Sequence, residues 1–167
     1  ADLTAPVITI TGSSTITIAA GSVYTDLGAT AIDNIDGDIT AGIVTTGLPI
    51  NTAATGTFSV VYTSTDLAAN TASSTRTVIV TDQTAPVITL PADQTFEATG
   101  ATTTPILVPA TAVDNIDPSP VITYSPASFG LGTTTVVWTA TDSSCNSSTS
   151  SSLVIITDTT VPLIVLN

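Results

Sequence analysis

Carboxylates are concentrated in a motif that occurs twice, "DNIDGDIT" from Asp33 and "DNIDPSP" from Asp114. The chain of 167 residues has only 13 acidic residues, so three carboxylates within six positions is a high local density. Carboxylates held this close repel one another and are driven toward protonation unless a cation neutralises them. Asp, Asn and backbone carbonyls, without His or a pair of thiolates, are the oxygen ligands that Ca²⁺ prefers. The motif therefore indicates a calcium site.

The same residues also suit a plain turn, because Asp and Asn accept hydrogen bonds from nearby backbone groups and Gly adopts positive φ. Either loop alone fits both interpretations. Two further acidic motifs recur in step with the loop, and this joint recurrence favours the cation. Asp38 has no acidic counterpart in the second loop, so we interpret it as a capping or peripheral residue.

The chain repeats itself. "DLTAPVITI", "DQTAPVITL" and "DTTVPLIVL" begin at Asp2, Asp82 and Asp158, and "YTSTDLAAN" from Tyr62 returns as "WTATDSSCN" from Trp138. Two full units followed by the first strand of a third are typical of a repeat array. We therefore predict a first domain over 1–82, a second over 83–158, and an extra strand over 159–167.

Apolar residues within each unit recur with a period of two, which indicates half-buried β-strands. Their β-branched composition suits a pleated sheet and disfavours helices. Short strands separated by Gly, Pro, Asn and Asp predict a small antiparallel sandwich in each unit. Tyr62 and Trp138 occupy equivalent positions in these strands, and we expect each to fill a core; a platform for stacking sugars is the alternative. The alternation involves three sets of residues: Ile16 and Ile18; Phe58, Val60 and Tyr62; Val136, Trp138 and Ala140.

The charge balance narrows the classes of partner. Arg76 is the single basic residue against 13 acids, and the net charge of -12 repels both nucleic acid and anionic membranes. No apolar run is long enough to span a bilayer, so we expect no membrane insertion. Lys, His and Met are absent, which suits an exported protein. We expect Arg76, on the last strand of unit 1, to pair with an acid at the surface, where such a pair contributes little.

The first unit, with "TAPVITITGSSTITIAAGSVYTDLGATAIDNIDGDIT", resembles the immunoglobulin-like domains found in tandem on bacterial surface proteins. The second, with "TAPVITLPADQTFEATG" and "TTTVVWTATDSSCN", is similar to the hyalin repeat (HYR) domain. The resemblance implies an all-β protein with two tandem immunoglobulin-like antiparallel β-sandwiches plus the first strand of a third. Such modules are mostly spacers, stalks and adhesive or assembly elements.

In an immunoglobulin-type sandwich, the chain enters at the end that carries the loop after the second core strand and the loop before the last strand. The linker Asp, the D-N-x-D loop and the D-x-x-x-N hairpin should therefore converge in each unit. A Ca²⁺ ion held there would fix the angle between domains, so that rigidity depends on Ca²⁺. The predicted metal ligands are Asp2, Asp33, Asn34, Asp36, Asp66 and Asn70 for the first site, and Asp82, Asp114, Asn115, Asp117, Asp142 and Asn146 for the second.

Three further features keep alternative interpretations. Cys145 is either a small turn residue or the source of an intermolecular disulfide. Asn146 opens a glycosylation sequon, where a glycan would compete with metal binding. The apolar tail from Val161 to Asn167 is either cut from the next domain or donated to a sheet of a neighbouring subunit, which would build a head-to-tail polymer.

Catalysis finds little support, because the chain has no His, no Lys and no Ser in a nucleophile elbow. We expect no enzyme and no catalytic residue. The expected function is an extracellular or cell-surface structural module, stiffened by Ca²⁺, in a filament, surface layer or adhesin stalk. Its partners would be copies of itself or further immunoglobulin-like domains, head to tail. The alternative is an adhesive module that binds carbohydrate or a host surface.

Overall fold

The computed structural model describes residues 2–164, and the chain divides after Gln83 into two compact units. The predicted boundary follows Asp82, one residue earlier. Apart from a one-turn 3-10 helix at Thr40–Gly42, every regular element is a β-strand, so the prediction of an all-β protein is confirmed. No helix in the described part of the chain is long and apolar enough to cross a membrane.

The first unit is a sandwich of two sheets. Strands β1, β3 and β4 form one sheet, and β2, β7, β6 and β5 form the other in that order. All pairs are antiparallel except β2, which runs parallel to β7. The strands are β1 (Val7–Ile10), β2 (Thr15–Ala19), β3 (Ala29–Asp33), β4 (Gly37–Asp38), β5 (Val44–Thr46), β6 (Gly56–Thr65) and β7 (Thr71–Thr81).

The second unit repeats this plan with fewer strands. A small sheet pairs β8 with β10, and the larger sheet has the order β11, β12, β13 and β9, with β9 parallel to β13. One parallel pairing per unit therefore departs from the antiparallel pattern that the sequence predicts. The strands are β8 (Val87–Thr89), β9 (Gln94–Glu97), β10 (Thr111–Val113), β11 (Val121–Ser125), β12 (Gly132–Thr141) and β13 (Ser147–Thr157).

The two cores follow the predicted alternation. Val60 and Tyr62 on β6 are fully buried with Val78 on β7, and Ile8 on β1 packs against them from the other sheet. In the second unit Trp138 on β12 is likewise buried. Both aromatic side chains are therefore core residues, and a sugar-stacking platform at these positions is ruled out.

Trp138 also satisfies its polar atom inside the core. The indole Nε1 donates to the hydroxyl of Ser152 on β13 at 3.0 Å, and Ser152 is itself buried. A buried donor without an acceptor costs free energy. This hydrogen bond therefore explains a serine on the inner face of an otherwise apolar strand.

Replacing Ser152 by Ala should reduce the free energy of unfolding of the second unit by about 1–2 kcal/mol, because the indole N–H loses its acceptor. Denaturant melts followed by Trp fluorescence measure this unit alone, since Trp138 is the one Trp in the chain. Ser151→Ala, at the exposed neighbouring position, is the matched control. Equal melting of the two variants would show that the hydrogen bond contributes nothing.

The structure overturns the expectation for Arg76. It lies on β7 as predicted, but its side chain is 0% exposed and forms an ion pair with Asp26, whose side chain is 9% exposed. Nε donates to the carbonyl of Ser13 at 3.2 Å, and Nη2 donates to the carbonyls of Thr11 and Gly28. The guanidinium thus ties the β1–β2 connection to the β2–β3 connection. The prediction of a surface pair is wrong.

Two tyrosines complete this buried network. The hydroxyl of Tyr62 donates to Asp26 at 2.8 Å, and that of Tyr24 donates to the same carboxylate at 2.7 Å. Burial, strengthened by the neighbouring Asp26, raises the pKa of Tyr62 to about 12. Burial alone would raise the pKa of Asp26, but these hydrogen bonds, the Gly28 N–H and the charge of Arg76 outweigh it and lower that pKa. Asp26 and Arg76 are therefore both charged inside the first unit.

Candidate metal centre

Three carboxylates from distant parts of the sequence meet at one end of the first unit. Asp2 precedes β1, Asp33 ends β3 and Asp66 follows β6, and a carboxylate oxygen from each lies within 4.8 Å of the other two. Asp33 and Asp66 are buried, at 4% and 6% exposure, and Asp2 is half-buried. The structure thus brings together three of the residues that the sequence analysis assigns to the first site.

Asp33 shapes its own loop with one carboxylate oxygen. Oδ1 accepts the backbone N–H groups of Ile35 at 2.8 Å and Asp36 at 3.0 Å, and these hydrogen bonds lower the pKa of Asp33. Oδ2 is buried and has no hydrogen-bond partner, and the same holds for Oδ2 of Asp2. An ionised, buried oxygen without a donor is costly unless a positive charge lies beside it.

Asp66 is held by the hairpin that follows it. Its Oδ1 accepts the backbone N–H of Asn70, and its Oδ2 accepts the Asn70 side-chain amide, both at 2.7 Å. That amide also donates to the backbone carbonyl of Asp2 at 3.4 Å. Ala69 closes the turn in the left-handed region, with φ of 71°. Asn70 therefore fixes the Asp66 carboxylate and contacts the entering chain, and its own ligation of a metal stays a prediction.

Asp36 has a role that sequence reasoning missed. Its Oδ2 accepts the backbone N–H of Leu67 at 2.8 Å, so it joins the D-N-x-D loop to the hairpin. It lies outside the group of three carboxylates, and its ligation of a metal stays a prediction. The recurrence of Asp at this position in both loops was the available signal. Asn34 is exposed, whereas Asp38 accepts the N–H of Thr40 at 2.9 Å and is the predicted capping residue.

The D-N-x-D loop of the second unit, which begins at Asp114, forms the same hydrogen bonds as the loop at Asp33. Oδ1 of Asp114 accepts the N–H groups of Ile116 and Asp117, each at 2.9 Å, and these bonds lower the pKa of Asp114. Its Oδ2 is buried without a hydrogen-bond partner. Oδ2 of Asp117 accepts the N–H of Ser143 at 2.8 Å, as Asp36 does from Leu67. Asn115 is exposed.

The second hairpin matches as well. Asp142 accepts the backbone N–H and the side-chain amide of Asn146, both at 2.8 Å, and its carboxylate lies within 4.8 Å of that of Asp114. Cys145 takes the left-handed position with φ of 70°, where its thiol is free and exposed. Asp82 is a buried residue near the end of the first unit, and its ligation of a second ion stays a prediction.

The same hydrogen bonds form although the loop sequences differ after the last shared Asp, with Gly37 in one unit and Pro118 in the other. The hydrogen bonds that form each turn use only one carboxylate oxygen of the first Asp in the loop, Asp33 or Asp114. They leave the second oxygen of Asp33 and of Asp114 buried without a donor. The arrangement therefore has the chemistry of a hard-cation site: several oxygens, partly desolvated and already oriented.

The first unit matches a known family of β-sandwich domains. Residues 8–80, most of the first unit, match the family model for the immunoglobulin-like domain of bacterial surface proteins. This match supports a surface or extracellular, non-catalytic domain. No curated protein matches the chain. The similarity of the second unit to the HYR domain stays a prediction.

Among solved structures, the chain is similar to the lipoprotein BT2262 from Bacteroides thetaiotaomicron, at 18% identity over 85% of this chain and 96% of that one, with a TM-score of 0.43. Mouse cadherin-23 EC22-24 matches at 13% identity over 92% and 67% of the two chains, with a TM-score of 0.44. A Clostridium perfringens ZmpB structure holding CBM51-2 with GlcNAc and INT domains matches at 20% identity over 79% and 29%, with a TM-score of 0.37. All three scores lie below 0.5, so none of these similarities assigns a function.

Proposed function

We propose that this chain is an extracellular structural module in which Ca²⁺ stiffens tandem immunoglobulin-like sandwiches, as part of a filament, surface layer or adhesin stalk. The observation that carries the proposal is the buried, ionised Asp33, whose Oδ2 has no hydrogen-bond donor within a group of three carboxylates. The family match of the first unit supports the surface location.

The charge inventory of the sequence favours a neutralising cation from solution. Arg76 is the sole Lys or Arg side chain in the sequence, and there is no His. Arg76 is buried and already paired with Asp26. No basic side chain is therefore left to neutralise Asp2, Asp33 and Asp66, and a divalent ion can do so with a charge of +2.

The donor set favours Ca²⁺ over other metals. The candidate ligands are carboxylate, amide and carbonyl oxygens, whereas zinc and copper sites in proteins use imidazole or thiolate. Mg²⁺ fits less well because it demands a near-ideal octahedron and retains several waters. Ca²⁺ accepts six to eight oxygens in a flexible geometry, so backbone carbonyls and water can complete the shell.

Ca²⁺ at this position would connect three segments of the first unit: the entering chain at Asp2, the loop at Asp33 and the hairpin at Asp66. By the sequence repeat, Asp82 would play the part of Asp2 for a second ion with Asp114 and Asp142. Ligation of a residue on the connecting segment would restrain that segment. Rigidity under load is the property that a stalk or filament needs, and here it would depend on Ca²⁺.

Isothermal titration calorimetry of the whole chain with CaCl₂ tests the proposal. Two ions per chain are expected, with Kd of about 0.1–1 mM, as is typical of extracellular calcium modules. Asp33→Asn should remove one ion and Asp114→Asn the other. Asp38→Asn, which makes the same charge change on an exposed residue of the same loop, should keep both.

The variant Asp33→Asn is informative because Asn retains the oxygen that accepts the N–H groups of Ile35 and Asp36, so the turn is preserved. A chain that takes up no Ca²⁺ at millimolar concentration would reduce the motif to turn chemistry. Equal losses in Asp33→Asn and Asp38→Asn would contradict a specific site, since they would reflect net charge alone.

A further inference from the structure

A buried serine lies between the core of the first unit and its carboxylate group. Ser64 on β6 is 1% exposed, and within the described residues its hydroxyl has no hydrogen-bond partner. It follows the core residue Tyr62 by two positions and precedes Asp66 by two positions. Since alternate residues of a strand share a face, Ser64 points inward with both of them. All three residues are buried, as this alternation requires.

The second unit has its inner hydroxyl on the neighbouring strand. Ala140 on β12 occupies the position of Ser64 in the repeat, and it is buried without a polar group. In the first unit Ser64 pairs with Ala72 on β7, whereas in the second unit Ala140 pairs with Ser148 on β13. Each unit therefore has one serine and one alanine in this pair, in exchanged positions.

The hydroxyl of the second unit has a partner. Ser148 donates a hydrogen bond to the backbone carbonyl of Pro86, just before β8. Ser64 makes no such bond within the described residues. The third copy of the repeat supplies no such pair, because residues 158–164 belong to no strand of the described structure and residues 165–167 of the predicted strand lie outside it.

The unpartnered hydroxyl lies beside other unpartnered oxygens. Oδ2 of Asp2 and Oδ2 of Asp33 are likewise buried without a hydrogen-bond partner, and both belong to the carboxylate group of the first unit. The third carboxylate of that group is Asp66, on the strand face that Ser64 shares. Buried polar atoms without a protein partner are usually satisfied by an ordered water or an ion.

We propose that the hydroxyl of Ser64 is part of the first Ca²⁺ site, where it holds a water ligand of the ion on the side that faces the core. The inference rests on the proposed function and adds a positioning residue to its first site. Same-face neighbours on a strand lie about 6.4–6.8 Å apart, and Ca²⁺ binds its oxygens at about 2.3–2.6 Å. This spacing suits contact through one water better than a direct bond between the hydroxyl and an ion held by Asp66.

The chemistry of the hydroxyl suits this role. A water bound to Ca²⁺ directs its hydrogens away from the ion, and a serine oxygen can accept one of them. Ca²⁺ takes six to eight oxygens, so three carboxylates leave room for such a water. Ala140 offers no acceptor at the corresponding position of the second unit. This position therefore favours tighter binding at the first site.

Calorimetric titration with CaCl₂ tests the inference in the Asp114→Asn background, where the ion of the first unit is the one expected to remain. Adding Ser64→Ala should weaken the Kd by about 3- to 10-fold, the effect of one lost hydrogen bond. Ser59→Ala is the matched control, because Ser59 lies on the exposed face of the same strand. It should leave the Kd unchanged.

Thermal melts distinguish a role at the ion from a purely structural role. In EGTA, Ser64→Ala should be at least as stable as its parent, because it removes a buried hydroxyl that has no partner. In Ca²⁺ it should gain less stability than its parent does. Equal losses in both buffers would show that the hydroxyl supports the ion-free fold, as Ser148 does at Pro86, and would overturn the inference.

An unchanged Kd in Ser64→Ala would also overturn the inference, and it would leave the calcium proposal intact. A different result separates the two: if the Asp114→Asn parent itself takes up no Ca²⁺ while wild type does the same, the calcium proposal is wrong and the role of Ser64 is wrong with it.

Discussion

Asp26→Asn is expected to reduce the free energy of unfolding of the first unit by about 3–5 kcal/mol, the cost of leaving a buried charge without its partner. Arg76 is 0% exposed and would keep only neutral acceptors. Acidification through the lowered pKa of Asp26 should act in the same direction, because stability from a depressed carboxylate pKa is present above its ordinary value and is lost as the pH falls.

Differential scanning calorimetry of the whole chain measures this effect, and Trp138 fluorescence follows the second unit separately. Only the transition of the first unit should move. Asp93→Asn is the matched control, since Asp93 is exposed and accepts a single backbone N–H from Leu153. A loss below about 1 kcal/mol in Asp26→Asn would mean that the pair behaves like a surface ion pair.

Removal of the proposed Ca²⁺ is expected to have the second large effect on stability. With Kd of about 0.1–1 mM, ~10 mM Ca²⁺ should stabilise each unit by about 1.4–2.7 kcal/mol relative to excess EGTA. In EGTA the carboxylates of Asp2, Asp33 and Asp66 repel one another with nothing between them. Thermal melts in both buffers should therefore separate clearly for the wild-type chain.

The difference in unfolding free energy between Asp33→Asn and wild type should have opposite signs in these two buffers. In EGTA the variant should be more stable than wild type, because one repelling charge is removed and the new amide can donate to Asp2 or Asp66. In Ca²⁺ it should be less stable, because the first unit loses its ion. Turn chemistry alone predicts the same small change in both buffers, so the absence of a reversal would argue against a metal at Asp33.

Two groups of charged residues should stabilise the first unit in different ways. The Arg76 network lies among the connections at β1, β2 and β3 and is complete within the chain. The carboxylate group at Asp33 has buried oxygens without a hydrogen-bond donor, and the Ca²⁺ proposed to neutralise it would come from solution. Asp26→Asn should therefore lose stability in either buffer, whereas the carboxylate group should respond to Ca²⁺. Additive effects in the double variant Asp26→Asn with Asp33→Asn would indicate that the two are independent.

Much of the fold could be predicted because strand signals are local. Alternation over Phe58, Val60 and Tyr62 reports which residues share a face, whatever the rest of the chain does. The same alternation places Arg76 on the buried face of β7, together with Val78 and Val80. Charged side chains are rarely buried, so the charge of Arg76 by itself favours a surface position. Its partner Asp26 lies fifty positions away with no local signature.

The repeat, the all-β class and the Asp motifs that occur twice follow from the amino-acid sequence alone, because each is a pattern along the chain. Which carboxylates meet depends on the tertiary structure. Asp2, Asp33 and Asp66 converge because β1, β3 and β6 bring them to one end, whereas Asp36 is turned to the N–H of Leu67. Strand periodicity depends on residues that are neighbours in the sequence. Desolvation and charge pairing depend instead on side chains that are distant in the sequence and that only folding places together.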